Sequence, residues 1–489
     1  VNLVELTKNA PAIEGKPNTI TVELMVTNKC NLGCSYCLEQ HKTSEDWTLE
    51  KIKQVYDKSL EIARANNKKE VLFQFFGGEP MLHKNMLVDF IQQNKEHITA
   101  NNDIVKLSMI TNGLLLTEGF LKFWFSDETR MINISLDTLD VENDHREISK
   151  EQLSKLIDMI DNSIPIKAKT DKRVGIRCTI SRETCYGLEA FLDKMYSIGI
   201  REIVIHPLIF SASDMTKTIE WTDDEWTHIN NVMISKLLAY PELDVRFVEG
   251  ISNKYGPDTC FTDKNLFAVD SSGNFGGCYL IPNNKDLLGD YIMGNFFDDV
   301  VHEEKYEKYN ADFKDKRENY PECQTCDLAD KCYTCPAMSL LLTGDAWAPS
   351  PMCKKMVQLS VHIDENNKAV KYLVGEAKFL QLSTEEQIER GFSSLYRFIT
   401  QQKNTDTGTG LCAVTVDSII KGFAKAIIEP ITLNDSSDLV EILTTLTDDI
   451  THTESNTIFN FLKVNINEYI PYEKILFMLH YYMNTKGKI

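Results

Sequence analysis

The chain has 489 residues, 43% of them hydrophobic, with a formal net charge of −20. That length suggests about two to four domains with at least one large core. The acidity argues against nucleic-acid binding, because phosphate contacts need clustered Lys and Arg. No stretch is long and apolar enough to span a membrane, and residues 1–11 lack the apolar run of a signal peptide, so the sequence reads as soluble and cytosolic.

Ile20, Val22, Leu24 and Val26 repeat with period two, which predicts a strand over 19–28. Cys30, Cys34 and Cys37 follow it directly. Leu49, Ile52, Val55, Tyr56 and Leu60 have helical spacing, with Thr48 as the start. Further strands are predicted over 71–76, 105–111, 131–136, 174–180 and 202–207, with helices over 85–97, 117–125, 150–160 and 188–197 between them. Six βα repeats imply a parallel sheet, and six are too few to close an eight-stranded barrel. The fold class is therefore α/β: a partial (β/α)6 TIM-like barrel over 19–222, after an N-terminal segment over 1–18. A bridging helix and strand occupy 223–249. Residues 250–361 are rich in Cys, Gly, Pro and Asn, and a loop-rich segment of that kind needs metal staples in place of a core. Residues 362–489 read as a helical domain, with a capping box at Ser383 and Glu386 and a mobile loop over 403–410.

Thirteen cysteines in a chain of this kind point to metal or redox chemistry, and an odd count defeats full disulfide pairing. The first three form Cys-x3-Cys-x2-Cys at the C-terminal end of a strand, the end where βα barrels do their chemistry. Three thiolates can wrap a four-iron cluster and leave one iron open. A structural zinc site is the competing reading, but it wants four ligands, and the next cysteine is Cys178. The motif, with Tyr36 just before its last cysteine, resembles the radical S-adenosylmethionine superfamily, and the resemblance extends over the whole βα region. It implies a [4Fe–4S] cluster on Cys30, Cys34 and Cys37 and S-adenosylmethionine on its open iron. It also implies that Gly77, Gly78, Glu79 and Pro80 meet the amino group of the methionine moiety. Two glycines let the backbone approach a ligand, and Glu79 adds a negative charge. By the same resemblance Ser135 and Asp137 meet the ribose, Arg177 the methionine carboxylate, and Tyr36 the adenine. For these strand-end residues ordinary turn chemistry is the competing account. The implied reaction is reductive cleavage of S-adenosylmethionine to a 5′-deoxyadenosyl radical, which removes a hydrogen atom from carbon.

The later cysteines Cys260, Cys278, Cys323, Cys326, Cys332, Cys335 and Cys353 give Cys-x12-Gly-x4-Cys, then Cys-x2-Cys-x5-Cys-x2-Cys, then Cys. This resembles the SPASM extension, which has three residues where Tyr333 and Thr334 stand here. The resemblance implies two auxiliary [4Fe–4S] clusters. Cys323, Cys326, Cys332 and Cys353 fill one; Cys260, Cys278 and Cys335 leave the other a ligand short. A substrate thiolate could complete it, as could another protein group or water. A zinc ribbon on the two Cys-x2-Cys pairs is the competing reading. Cys178, Cys185 and Cys412 read as buried, inert thiols.

The implied function is a maturase that forms a thioether crosslink in a ribosomally made, Cys-containing precursor peptide, with flavodoxin or ferredoxin as reductant. The segment 332–356 resembles maturases of peptides with Cys-x-x-x repeats. One alternative is an anaerobic sulfatase-maturating enzyme, which makes formylglycine from Cys or Ser. That family has Asp where Tyr279 stands and Gln where Phe76 stands. Another is a non-catalytic iron–sulfur protein for electron transfer or partner binding. Only twenty-nine residues precede Cys30, too few for a winged-helix peptide-binding module, so residues 362–489 are expected to dock substrate or a partner protein.

Overall fold

The computed structural model describes residues 2–8, 19–37, 47–101, 103–208, 210–211, 214–240, 242–247, 265–313, 317–326, 336–346 and 348–349. Cys260, Cys332, Cys335, Cys353, Cys412 and the whole of 362–489 lie outside them. The chain divides into two units, Val1–Asn230 with Leu243–Asp364, and Asn231–Glu242 with Glu365–Ile489. The parallel sheet and the first cysteine loop belong to the first unit.

Six parallel strands run in chain order: β1 (Thr19–Thr27), β2 (Glu70–Gly77), β3 (Val105–Thr111), β4 (Met131–Ser135), β5 (Val174–Ile180) and β6 (Glu202–Pro207). Between them lie α1 (Leu49–Ala65), α2 (Lys84–Gln93), α3 (Lys95–Thr99), α4 (Glu118–Trp124), α5 (Lys150–Ser163), α6 (Ile166–Thr170) and α7 (Leu188–Ser197). This is the expected partial barrel. The starts follow local chemistry. Thr48 accepts from the Lys51 N–H at 3.2 Å, and Ser149 and Gln152 form a reciprocal capping box. The single helix expected over 85–97 is instead α2 and α3. Asn94 ends the first by donating from both its backbone N–H and its side-chain amide to the Phe90 carbonyl.

Strand alternation sorts the two faces. Val22, Phe73, Leu107, Ile132, Ile176 and Ile203 are sealed on the helix side, each contributing about 1.5–3 kcal/mol by burial. The other face is polar, carrying Thr21, Glu23, Gln74, Ser108, Asn133, Arg177 and His206. Two strands extend the sheet at its edges. Asp244–Phe247 pairs parallel with β6, and Leu266–Val269 pairs parallel with β1. The latter opens an antiparallel meander, Asn274–Gly276, Gly294–Asn295 and Val300–Val301. The cysteine-rich segment therefore begins as a continuation of the barrel sheet. It also has a core: Phe267, Phe275 and Phe296 are fully buried, with ring centroids 5.5–5.7 Å apart. The expectation that metal replaces a core there is too strict, because the sheet edge supplies apolar surface that a free-standing segment would lack. No helix among the described residues is long and apolar enough to cross a membrane.

Candidate functional site

The loop Asn28–Cys37 leaves the C-terminal end of β1 and is held from two sides. On the first, the Gly78 N–H donates to the Thr27 carbonyl at 2.6 Å and the Glu79 N–H to the Lys29 carbonyl at 2.9 Å. A Cβ on Gly77 would collide with the Thr27 carbonyl, and one on Gly78 with the Lys29 carbonyl. Gly77 also has φ +118°, a conformation that favours glycine. The two glycines thus let the end of β2 lie against the entry to the cysteine loop. Glu79 is fully buried. Its Oε1 accepts from the Met81 N–H at 2.9 Å and the Thr111 hydroxyl at 2.6 Å, and its Oε2 from the Asn112 N–H at 2.7 Å. Burial raises its pKa, while those donors pull it back. The Asn112 side-chain amide continues the chain, donating to Asn31 Oδ1 at 2.8 Å and lying 3.7 Å from Cys30 Sγ.

On the second side, the Ser35 N–H donates to the His145 carbonyl at 3.0 Å, and the Ser35 hydroxyl meets His145 Nδ1 at 2.9 Å. The Tyr36 hydroxyl donates to Asp137 Oδ2 at 2.5 Å. Asp137 Oδ1 takes the Thr179 N–H at 2.9 Å, and Arg146 Nε stands 3.5 Å from Oδ2. Arg146 is in turn paired with Asp144 at 3.0 Å and donates to the Ser135 carbonyl. Burial raises the pKa of Asp137, with Arg146 opposing. Burial also works against the Arg146 charge, but Asp137 and Asp144 outweigh it and hold the guanidinium protonated. Burial and then Asp137 push the Tyr36 phenol well up.

Cys30, Cys34 and Cys37 are half-buried thiols outside any disulfide. The Cys34 thiol is pushed up to about 12, by burial first and then by Cys37, Asp137 and Cys30. That mutual influence places the three in one electrostatic neighbourhood, where only a cation would make thiolates favourable. The donor set and the loop length fit an iron–sulfur cluster, and the Leu32 N–H at 3.4 Å from Cys30 Sγ is a sulfur hydrogen bond of the kind that tunes one. Among the described residues no three His, Cys, Asp or Glu side chains converge as a preformed metal cage. The loop is fixed largely by its other residues, through Ser35, Tyr36 and Asn31 and the Lys29 carbonyl.

Of the expected cofactor residues, Gly77, Gly78, Glu79, Tyr36 and Asp137 are brought together as the supports of this loop. Pro80 opens the short helical turn after them. Ser135 and Arg177 are paired neighbours across β4 and β5 and half-buried. Cys278 is buried, and Cys323 and Cys326 are half-buried on one turn. Cys178 and Cys185 are buried, and burial pushes the first well up and the second up to about 11. Phe76 and Tyr279 stand together, ring centroids 5.0 Å apart at 65°. Sequence reasoning missed Arg146 and the inner-face residues Glu23, Asn133 and His206. Glu23 had a signal, a lone carboxylate in an apolar strand.

The model of the radical SAM superfamily matches residues 24–175, and that of SPASM, an iron–sulfur cluster-binding domain, matches residues 260–327. The tungsten-containing aldehyde ferredoxin oxidoreductase cofactor-modifying protein of Pyrococcus furiosus is 23% identical over 68% of this chain and 92% of its own length. The radical SAM cyclopropyl synthase TigE of Paramaledivibacter caminithermalis is 22% identical over 64% of this chain and 66% of its own. The structure of native anSMEcpe with bound AdoMet and Cp18Cys peptide shares the fold, with a TM-score of 0.52 at 17% identity over 74% of this chain and 99% of that one.

Proposed function

We propose, from the premise that the chain is a radical S-adenosylmethionine enzyme with a SPASM domain, that it matures a ribosomally made, Cys-containing peptide by forming a sulfur-to-carbon crosslink. The observation that carries this is the three-cysteine loop at the barrel mouth, clamped by Glu79 on one side and Asp137 on the other. A [4Fe–4S] cluster with S-adenosylmethionine supplies a 5′-deoxyadenosyl radical able to take a hydrogen atom from carbon.

This chain's residues hold and orient. Cys30, Cys34 and Cys37 would ligate the cluster. The Gly77–Pro80 backbone, Ser135 and Arg177 would face S-adenosylmethionine, with Tyr36 beside the adenine. Glu79 and Asp137 act through the loop, since their carboxylate oxygens already accept from protein donors. Cys260, Cys278, Cys323, Cys326, Cys332, Cys335 and Cys353 would hold two auxiliary clusters, and seven thiols for eight positions favour a substrate thiolate as the eighth ligand. We take the barrel as 19–222, the bridge as 223–249, the auxiliary-cluster domain as 250–361 and the helical domain as 362–489, with a cytosolic flavodoxin or ferredoxin as reductant.

Formylglycine formation is the weaker reading. The two positions that distinguish it, Phe76 and Tyr279, form an aromatic contact with no carboxylate base. The test is to incubate the reconstituted, reduced protein with S-adenosylmethionine and a precursor peptide encoded beside its gene. Release of 5′-deoxyadenosine with loss of one hydrogen pair per modified Cys supports the proposal. Conversion of Cys to an aldehyde would overturn the crosslink in favour of formylglycine, and no 5′-deoxyadenosine at all would overturn the radical reading.

A further inference from the structure

Arg146 follows His145, whose carbonyl receives the Ser35 N–H, so its backbone lies directly beside the cysteine loop. Its side chain is among the largest that are fully buried. A buried guanidinium needs opposite charge nearby, because it does not give up its proton. Arg146 has two carboxylates. It donates to Asp144 from Nε at 3.2 Å and from Nη2 at 3.0 Å, and its Nε stands 3.5 Å from Asp137 Oδ2. Both carboxylates are buried as well. Among the described residues neither has an ion pair with a second cation. One guanidinium between two carboxylates leaves one negative charge uncompensated.

That charge is tied to the loop. Asp137 Oδ2 accepts from the Tyr36 hydroxyl at 2.5 Å, and Tyr36 lies between Cys34 and Cys37. On the far side the Thr179 N–H meets Asp137 Oδ1 at 2.9 Å, and the Cys178 thiol donates to the Asp137 carbonyl at 3.2 Å. Held from both sides, the carboxylate stays in place when charge on the loop changes. After burial and Cys37, Asp137 raises the Cys34 thiol and Arg146 lowers it, so both charges are felt at a cluster ligand. Iron–sulfur potentials follow the net charge, hydrogen bonding and exposure around the cluster. An electron added beside a fixed negative charge in a poorly screened interior is disfavoured. We propose that Asp137, Asp144 and Arg146 form a fixed-charge set that lowers the reduction potential of the [4Fe–4S] cluster Cys30, Cys34 and Cys37 would hold, with Arg146 limiting how far the two carboxylates pull it down. This rests on the cluster reading above and deepens it. The three residues act through the loop, as positioning residues. A low potential suits a site whose implied task is the one-electron reduction of a sulfonium.

The experiment is a mediated dithionite titration of the full-length reconstituted protein at pH 8, read by electron paramagnetic resonance. The signal followed is the one that changes when S-adenosylmethionine is added to a parallel reduced sample; signals that do not change are the internal reference. Dithionite supplies the one electron each cluster takes up. Asp144→Asn keeps the shape and removes a negative charge. It should raise the midpoint, by about 59 mV for a tenfold change in a one-electron equilibrium. Arg146→Gln should lower it, and Arg146→Lys, which keeps the charge, should return it to the wild-type value. A merely structural role would change iron content without a shift whose sign follows the charge. A midpoint unmoved by Asp144→Asn, or shifts of one sign in Asp144→Asn and Arg146→Gln, would overturn the proposal. So would loss of the cluster from both Asp144→Asn and Arg146→Lys, which would assign the three residues to loop stability alone. A reduced wild type with no signal sensitive to S-adenosylmethionine would overturn the cluster reading and this proposal with it; a sensitive signal with unmoved midpoints removes the tuning alone.

Discussion

The barrel mouth and the barrel's inner face carry the same kinds of residue in opposite states of pairing. At the mouth, Glu79, Asp137 and Arg146 are buried, and each is matched by protein donors or acceptors. On the inner face, Glu23, Asn133 and Arg177 each keep an unmatched atom. A buried charge that is fully paired builds structure, whereas a buried polar group left incomplete destabilises the folded protein. The difference separates residues that shape the cluster loop from residues that leave the sheet's inner face unmatched, although both sets belong to the same sheet and the loops that leave it.

Removing a matched group at the mouth should have the largest effect. Asp137→Ala strands the Tyr36 hydroxyl and the Thr179 N–H and unbalances Arg146. It should cost about 3 kcal/mol or more, the usual consequence of taking one partner from a buried pair. Iron content per chain and the urea midpoint should fall together; a variant with full iron would show that the loop does not depend on this clamp. Gly78→Ala comes next. Its Cβ meets the Lys29 carbonyl, and shifting that backbone should cost about 1–3 kcal/mol. Cluster loading should drop here too, without any change of charge.

The inner face should respond in the opposite direction. Burial raises the Glu23 carboxyl from its ordinary 4.5 to about 7. A raised folded-state pKa favours the protonated form, so its contribution to stability is fully present below about 4.5 and is lost as the pH rises through about 7. Glu23→Gln has no proton to lose. It should match the wild type near pH 4 and exceed it at pH 8, by about 1–3 kcal/mol, since a tenfold change in a proton's affinity is worth about 1.4 kcal/mol. Urea unfolding at the two pH values reads this, and a variant less stable at pH 8 would mean that Glu23 has a protein partner after all. The smallest effect is expected at the exposed pin. His145→Ala removes one hydrogen bond to Ser35 while the Tyr36–Asp137 bond remains, so about 1 kcal/mol or less should be lost, with iron retained.

Much of this architecture could be read from the sequence, because strand and helix periods and caps are local. The strands 105–111, 174–180 and 202–207 and the helix 188–197 coincide with their expected bounds. Where the reading failed, the cause lay elsewhere in the chain or in a single side chain. Asn94 breaks a helix that apolar spacing alone would continue. The four-residue strand Leu266–Val269 is too short to show a period and exists because β1 offers it an edge. Glu79 could be found by its motif, but what it does could not. Spacing placed a negative charge beside two glycines, and only packing showed that Thr111, Met81 and Asn112 donate to it.

The sequence by itself determined the order of βα units, the three-cysteine loop at the end of the first strand and the cysteine-rich segment beyond the barrel, since each is written in residues near one another. Only the tertiary structure decided which polar groups are satisfied. Asp137 finds Tyr36 from a loop 101 residues away, while Glu23 on β1 and Arg177 on β5 act on each other electrostatically, with one polar atom of each left unmatched. Pairing of buried charge is a property of three-dimensional proximity, and no local pattern records it.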